Sequence, residues 1–112
     1  MRTIETPNAV MTTLASPSLG SAELSLWTVE MRAGQRGPLH AFDAEQIWHV
    51  LDGELDVSGT RLTAGDTRVL AAGELRQVTA RTDARVLACG RGDAVVRVDG
   101  ENAPRGVPPW IA

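Results

Sequence analysis

Apolar residues in this chain come in short bursts that alternate with polar ones, and nowhere do they recur at helical spacing. Strand side chains point to opposite faces with a period of two, so the pattern predicts β-strands rather than amphipathic helices. The bursts are AELSLWTVEM, EQIWHVLDGELDV, TRLTAG, DTRVLAAG, LRQVTA, ARVLACG and AVVRVDG. Between them lie RAGQRGP, DG, SGT, AGD and RTD, rich in the Gly, Pro, Asp and Ser that turns require. Many short strands separated in this way predict an all-β sandwich or barrel. Asp52-Gly53 is the strongest hairpin signal, because Gly accepts the positive φ of a tight turn.

The alternation also assigns faces. If Gln46 points inward, then Trp48 and Val50 do so too, and Ile47, His49 and Leu51 point outward. Pro38, His40 and Phe42 share one face of their segment, and Arg76 and Val78 share one face of theirs. The ends differ from the middle. Residues 1–20 are small and polar, and form either an edge strand packed against a partner subunit or a loose arm. Residues 21–100 carry the strand pattern, and residues 101–112 hold three prolines, so they predict an extended tail in which Trp110 and Ile111 dock on an apolar patch.

A chain of 112 residues predicts one domain with a real core. The lone cysteine, Cys89, excludes an intramolecular disulfide and reads as a small buried hydrophobe. No apolar run approaches the length of about 18 residues that a membrane helix needs, and the first residues lack a signal-peptide core, so the expected location is the cytoplasm. A net charge of -3 with both signs scattered argues against nucleic acid. All 11 basic residues are arginine, which removes Schiff-base chemistry from a side-chain amine, and tyrosine is absent. The groups left for chemistry near neutral pH are His40, His49, Cys89 and any carboxylate whose pKa burial has raised.

Between Trp27 and Gly90 the chain resembles the small single-domain cupins. Their first motif sets a Gly ahead of His-x-His, then Glu or Gln, then a second Gly; it overlays HAFDAEQIWHVLDG, with Gln46 seven positions before Gly53. Their second motif overlays GDTRVLAAGELR, with Gly65 eight positions before Gly73. The resemblance implies a single-domain double-stranded β-helix, a jelly-roll-like barrel, and a small-molecule ligand. It also implies where metal ligands would stand: His40 falls at the first His position, Phe42 at the second, Gln46 at the Glu or Gln position, and Arg76 where the last His is expected. Arg does not ligate metals at ordinary pH and its charge repels a cation. The favoured reading therefore has no cofactor, and any divalent metal would be held weakly by His40 and Gln46.

The expected site is His40, Gln46 and Arg76 as the catalytic set, framed by substrate-binding Phe42, Trp48, Trp27, Val29, Met31 and Val78. Three functions fit it. The first is a metal-independent enzyme in which His40 moves a proton while Arg76 and Gln46 hold a substrate oxygen, in an isomerisation, elimination, aldol-type addition or cyclisation of a carbonyl or carboxylate compound. The second is a metal-dependent dioxygenase or lyase that recruits His49, Cys89 or a carboxylate. The third is a non-catalytic ligand-binding cupin. For Arg76 the competing structural reading is a salt bridge to Glu45, Asp43 or Glu74. A homodimer is expected, with the N-terminal arm and the outer face carrying His49 contributing.

Overall fold

The period-two bursts become eleven β-strands in the computed structural model, which describes residues 1–112; no α-helix forms, and Pro17–Leu19 make one 3-10 turn. In chain order the strands are β1 (Arg2–Glu5), β2 (Val10–Ala15), β3 (Leu24–Met31), β4 (His40–Phe42), β5 (Gln46–Asp52), β6 (Glu54–Val57), β7 (Thr60–Thr63), β8 (Thr67–Leu70), β9 (Val78–Ala80), β10 (Ala84–Arg91) and β11 (Val96–Val98). One wall is an antiparallel sheet in the order β1-β2-β3-β10-β5-β8. The other combines β7-β6-β9 with a β11-β4 ribbon. Backbone bridges from Arg36, ahead of β4, to Thr79 of β9 and from His40 of β4 to Arg76, ahead of β9, stitch the two parts together.

The core lies between the walls. One wall supplies Trp27, Val29 and Met31 of β3, Trp48 and Val50 of β5, and Val86 and Ala88 of β10; the other supplies Leu55, Val57, Leu62, Val78 and Ala80. Burial along β5 alternates, with Gln46, Trp48 and Val50 inside and the residues between them turned outward. The same alternation corrects the reading of Cys89. It is half-buried on the outer face of β10, level with Ile47 on one neighbour and Leu26 on the other, because the inward positions of that strand are Ala84, Val86, Ala88 and Gly90.

Asp52-Gly53 is a corner rather than a hairpin. Gly53 has the expected positive φ of 79°, but β5 is flanked by β10 and β8 while β6 is flanked by β7 and β9, so the turn passes the chain from one wall to the other. The two-residue hairpin is instead Ser58-Gly59, both at positive φ, between the paired β6 and β7. The first residues form β1 and β2, which extend the larger sheet beyond β3. The tail crosses the same wall and buries Ile111 completely. With its prolines it makes few ladder bonds, and side-chain hydroxyls supply partners for its carbonyls: Thr13 donates to Trp110 O at 2.6 Å, Ser18 to Ala112 O at 2.7 Å, and Ser25 to Ile111 O.

The corner gives a test of the fold. A Cβ at Gly53 would stand 2.1 Å from Asp83 O, a rigid backbone atom, whereas a Cβ at Gly59 would meet nothing within 4 Å. Gly59→Ala is expected to cost about 1–2 kcal/mol, from its left-handed backbone alone. Gly53→Ala is expected to cost about 3 kcal/mol or more, since overpacking adds to that strain. Urea unfolding of the two variants beside the parent measures the difference, and equal costs would contradict the corner packing.

Candidate functional site

A cavity of about 650 Å³ opens between the walls, a size suited to a small organic molecule. Its walls are mostly apolar, and all three tryptophans of the chain, Trp27, Trp48 and Trp110, line it. Buried Gln46, Trp48 and Trp27 mark the closed end, and exposed Pro7, Arg36, Pro38 and Arg105 mark the mouth. Eight of the nine residues expected at the site line it: His40, Phe42, Gln46, Trp48, Trp27, Val29, Met31 and Val78. Arg76 does not. The sequence reading missed the walls given by the β1–β2 turn and by the tail, together with Arg36 and Arg105. Only Trp110, an aromatic stranded in a Pro-rich tail, offered a local signal.

Arg76 and His40 form a hydrogen-bonded antiparallel pair, with N–H to O distances of 2.8 and 2.9 Å, which sets both side chains on one face. Yet the guanidinium lies one layer behind the cavity wall. Its carbon sits 5.5 Å from the centroid of the Phe42 ring, its Nη2 donates to Ala71 O at 3.3 Å, and its Nη1 donates to Gln46 Oε1 at 3.5 Å. Phe42 and Gln46 therefore screen it from any ligand, so it does not hold a substrate oxygen directly. The side chain is fully buried with its Nε unpartnered. None of the expected carboxylates pairs with it: Glu74 binds Arg68 at 2.8 Å, Asp43 accepts from Val95 N at 2.8 Å, and Glu45 is exposed. Burial pulls its pKa down against the opposing pull of Glu74, and a guanidinium stays cationic under such shifts.

This cation fixes Gln46. The amide oxygen faces two groups that only donate, Arg76 Nη1 and Trp48 Nε1, the latter at 3.3 Å. The oxygen and not the nitrogen must turn toward them. Gln46 Nε2 is left buried with no protein partner. A buried donor without an acceptor carries a desolvation cost of about 1–3 kcal/mol. Gly90, opposite Gln46 in the ladder, makes room for this side chain, since a Cβ there would come 3.0 Å from Gln46 Cγ.

His40 is oriented from the other side. Its Nδ1 lies 2.8 Å from Pro38 O, and a carbonyl only accepts, so Nδ1 carries the proton and Nε2 keeps its lone pair. The ring packs edge-on against Phe42 at 5.7 Å between centroids. Burial lowers its pKa below 6.5 and nearby Arg76 lowers it further, while the bond to Pro38 opposes both. The imidazole is therefore neutral at pH 7.

A resident divalent metal does not fit these residues. His40 is the only histidine that lines the cavity, Gln46 Oε1 already faces two donors, and Arg76 places a positive charge behind the wall. No three His, Cys, Asp or Glu side chains cluster anywhere in the chain. His49 is on the outer face with Nδ1 2.7 Å from Thr67 Oγ1, and neither it nor Cys89 lines the cavity.

No family model matches the chain, and no curated protein matches it in sequence. Solved structures share its fold. An RmlC-like cupin from Shewanella frigidimarina is 20% identical with a TM-score of 0.68, over 80% of this chain and 82% of that one. KdgF from a Halomonas species is 20% identical with a TM-score of 0.69, over 81% and 86% of the two chains. Salicylate 1,2-dioxygenase from Pseudoaminobacter salicylatoxidans, solved with gentisate, is 16% identical with a TM-score of 0.73 over 89% of this chain. This chain spans 31% of the length of that dioxygenase. The chain has the fold of a small single-domain cupin, and no helix is long and apolar enough to cross a membrane.

The tautomer and the pKa are measurable. Nitrogen NMR of His40 is expected to show a protonated Nδ1 and a bare Nε2 at pH 7, titrating below 6.5. Because the folded pKa is lowered, the unfolded chain binds more protons between the two values. The His40 contribution to stability is therefore complete above pH 6.5 and is lost as the pH falls from there toward the folded pKa. His40→Gln should remove that slope from urea midpoints measured across the window; an unchanged slope would place its origin elsewhere.

Proposed function

We propose that this cupin-fold chain is a small-molecule enzyme that performs acid-base chemistry on a carbonyl or carboxylate compound without a resident metal. The observation that carries this reading is an imidazole with a bare nitrogen at an apolar cavity, beside Gln46, which also lines that cavity and whose buried amide N–H no protein atom accepts. The substrate oxygen accepts from Gln46 Nε2–H, which a small turn of that side chain brings to the cavity surface as the ligand enters. His40 Nε2 removes a proton from the carbon beside that carbonyl, and the electron pair moves onto the oxygen as an enolate.

Each neighbour then has a task. Gln46 donates to the developing negative charge, and Arg76, acting through the amide oxygen, polarises that donor and holds it in place. The His40 imidazolium is stabilised through its Nδ1–H bond to Pro38 O. It returns the proton at a second position in an isomerisation, or to a leaving group in an elimination; attack of the enolate on another carbonyl gives aldol-type addition or cyclisation. The Trp-lined walls keep water from the enolate.

A non-catalytic ligand-binding role uses the same cavity and separates by experiment. Chelator-treated protein is expected to turn over a carbonyl or carboxylate compound. His40→Ala should lower the rate roughly 10²–10⁴-fold while retaining binding, and Gln46→Leu should lower it roughly 10²–10³-fold. The rate of the parent should rise with pH as His40 loses its proton, below pH 6.5. Ligand binding with no turnover, identical in parent and His40→Ala, favours the non-catalytic role. Stoichiometric metal that survives desalting in the parent and is lost in His40→Ala overturns the metal-free chemistry.

A further inference from the structure

The charge around the cavity differs from that of the chain. Asp and Glu outnumber Arg by 14 to 11 overall, yet no carboxylate side chain lines the cavity, while Arg36 and Arg105 do and Arg76 lies behind the wall. Six arginines of the chain are ion-paired, and Arg105 is among them, held by Glu101 through bonds of 2.9 and 2.5 Å. Arg36 has no carboxylate partner. Its Nη2 donates to the neutral Gln77 Oε1 at 2.7 Å, and Gln77 is tied in turn to Gly37 O at 3.2 Å and to Ser58 Oγ at 3.0 Å. The guanidinium is thus positioned at the mouth with the rest of its donors and its whole charge available.

We infer that the substrate is an oxo acid with an apolar body, whose carboxylate pairs with Arg36 at the mouth, whose hydrocarbon or aromatic part packs among the tryptophans, and whose oxo oxygen accepts from Gln46. This rests on the small-molecule reading above and adds the chemical class of the ligand. Arg36 is then the specificity residue. It offers a fork of parallel N–H donors, which suits a planar carboxylate. Arg76 contributes at longer range, because no carboxylate is in direct contact with it and its positive charge lies behind the cavity wall. A neutral ketone of the same shape keeps the apolar contacts and the Gln46 bond but leaves the Arg36 charge uncompensated.

The experiment compares 4-oxo-4-phenylbutanoate with butyrophenone, which differ by a carboxylate against a methyl group and keep that end two methylenes away from the oxo carbon. All three tryptophans line the cavity, so their emission reports occupancy directly. The parent is expected to bind 4-oxo-4-phenylbutanoate about tenfold more tightly than butyrophenone, an advantage that shrinks with added salt. Arg36→Gln should remove it, leaving butyrophenone binding unchanged, and Arg36→Lys should restore part of it. Gln46→Leu should weaken both compounds. If Arg36→Gln leaves 4-oxo-4-phenylbutanoate binding intact, or weakens both compounds equally, the anion assignment is overturned while the small-molecule site stands. If neither compound perturbs the parent's tryptophans at millimolar concentration, both the oxo-acid class and the site reading fall.

Discussion

Two backbone hydrogen bonds between His40 and Arg76 are among those that join the two parts of the second wall, and the site takes its arrangement from them. They place an imidazole and a guanidinium side by side on the inward face. Only one of the two heads reaches the cavity. Phe42, two residues along the same strand, fills the space in front of Arg76, and the trapped cation turns the nearest amide so that its oxygen faces backward and its N–H faces no protein atom. The unpaired donor is a consequence of packing, in that the buried charge would cost more still without an oxygen to meet it.

The electrostatic surroundings of the cavity differ from those of a cation-binding site. A cation-binding pocket gathers carboxylates and neutral imidazoles and keeps positive side chains away. Here the surroundings are reversed, with guanidinium groups at the mouth and behind the wall and a single imidazole between them. Such a field favours negative charge and disfavours the protonated imidazole. Both effects support the proton abstraction proposed above.

Most of the fold was legible because the period-two pattern is strong and punctuated by turn residues, and because one wall of each strand is buried. Alternation alone placed Gln46, Trp48 and Val50 inside and His49 outside. Eight cavity residues followed from strand faces laid on the motif spacing. What escaped depends on the third dimension. Asp52-Gly53 has hairpin chemistry, but whether a tight turn joins neighbours or crosses between walls is decided by which strands already occupy the flanks. The inward face of Arg76 was readable, whereas the screening by Phe42 depends on side-chain volumes. Arg36 sits in a loop without periodicity, so its place at the mouth had no local signature.

The tail crosses the sheet to reach the cavity, and its attachment through Thr13 and Ser25 joins positions 97 and 86 residues apart. Trp110 therefore belongs at once to the cavity wall and to the seam that joins the two ends of the chain. A molecule that touched Trp110 would couple occupancy to closure of that seam, and whatever loosened the seam would weaken its grip without removing any polar contact. In a chain of this size, the boundary between lining a cavity and completing the fold runs through an indole of the tail.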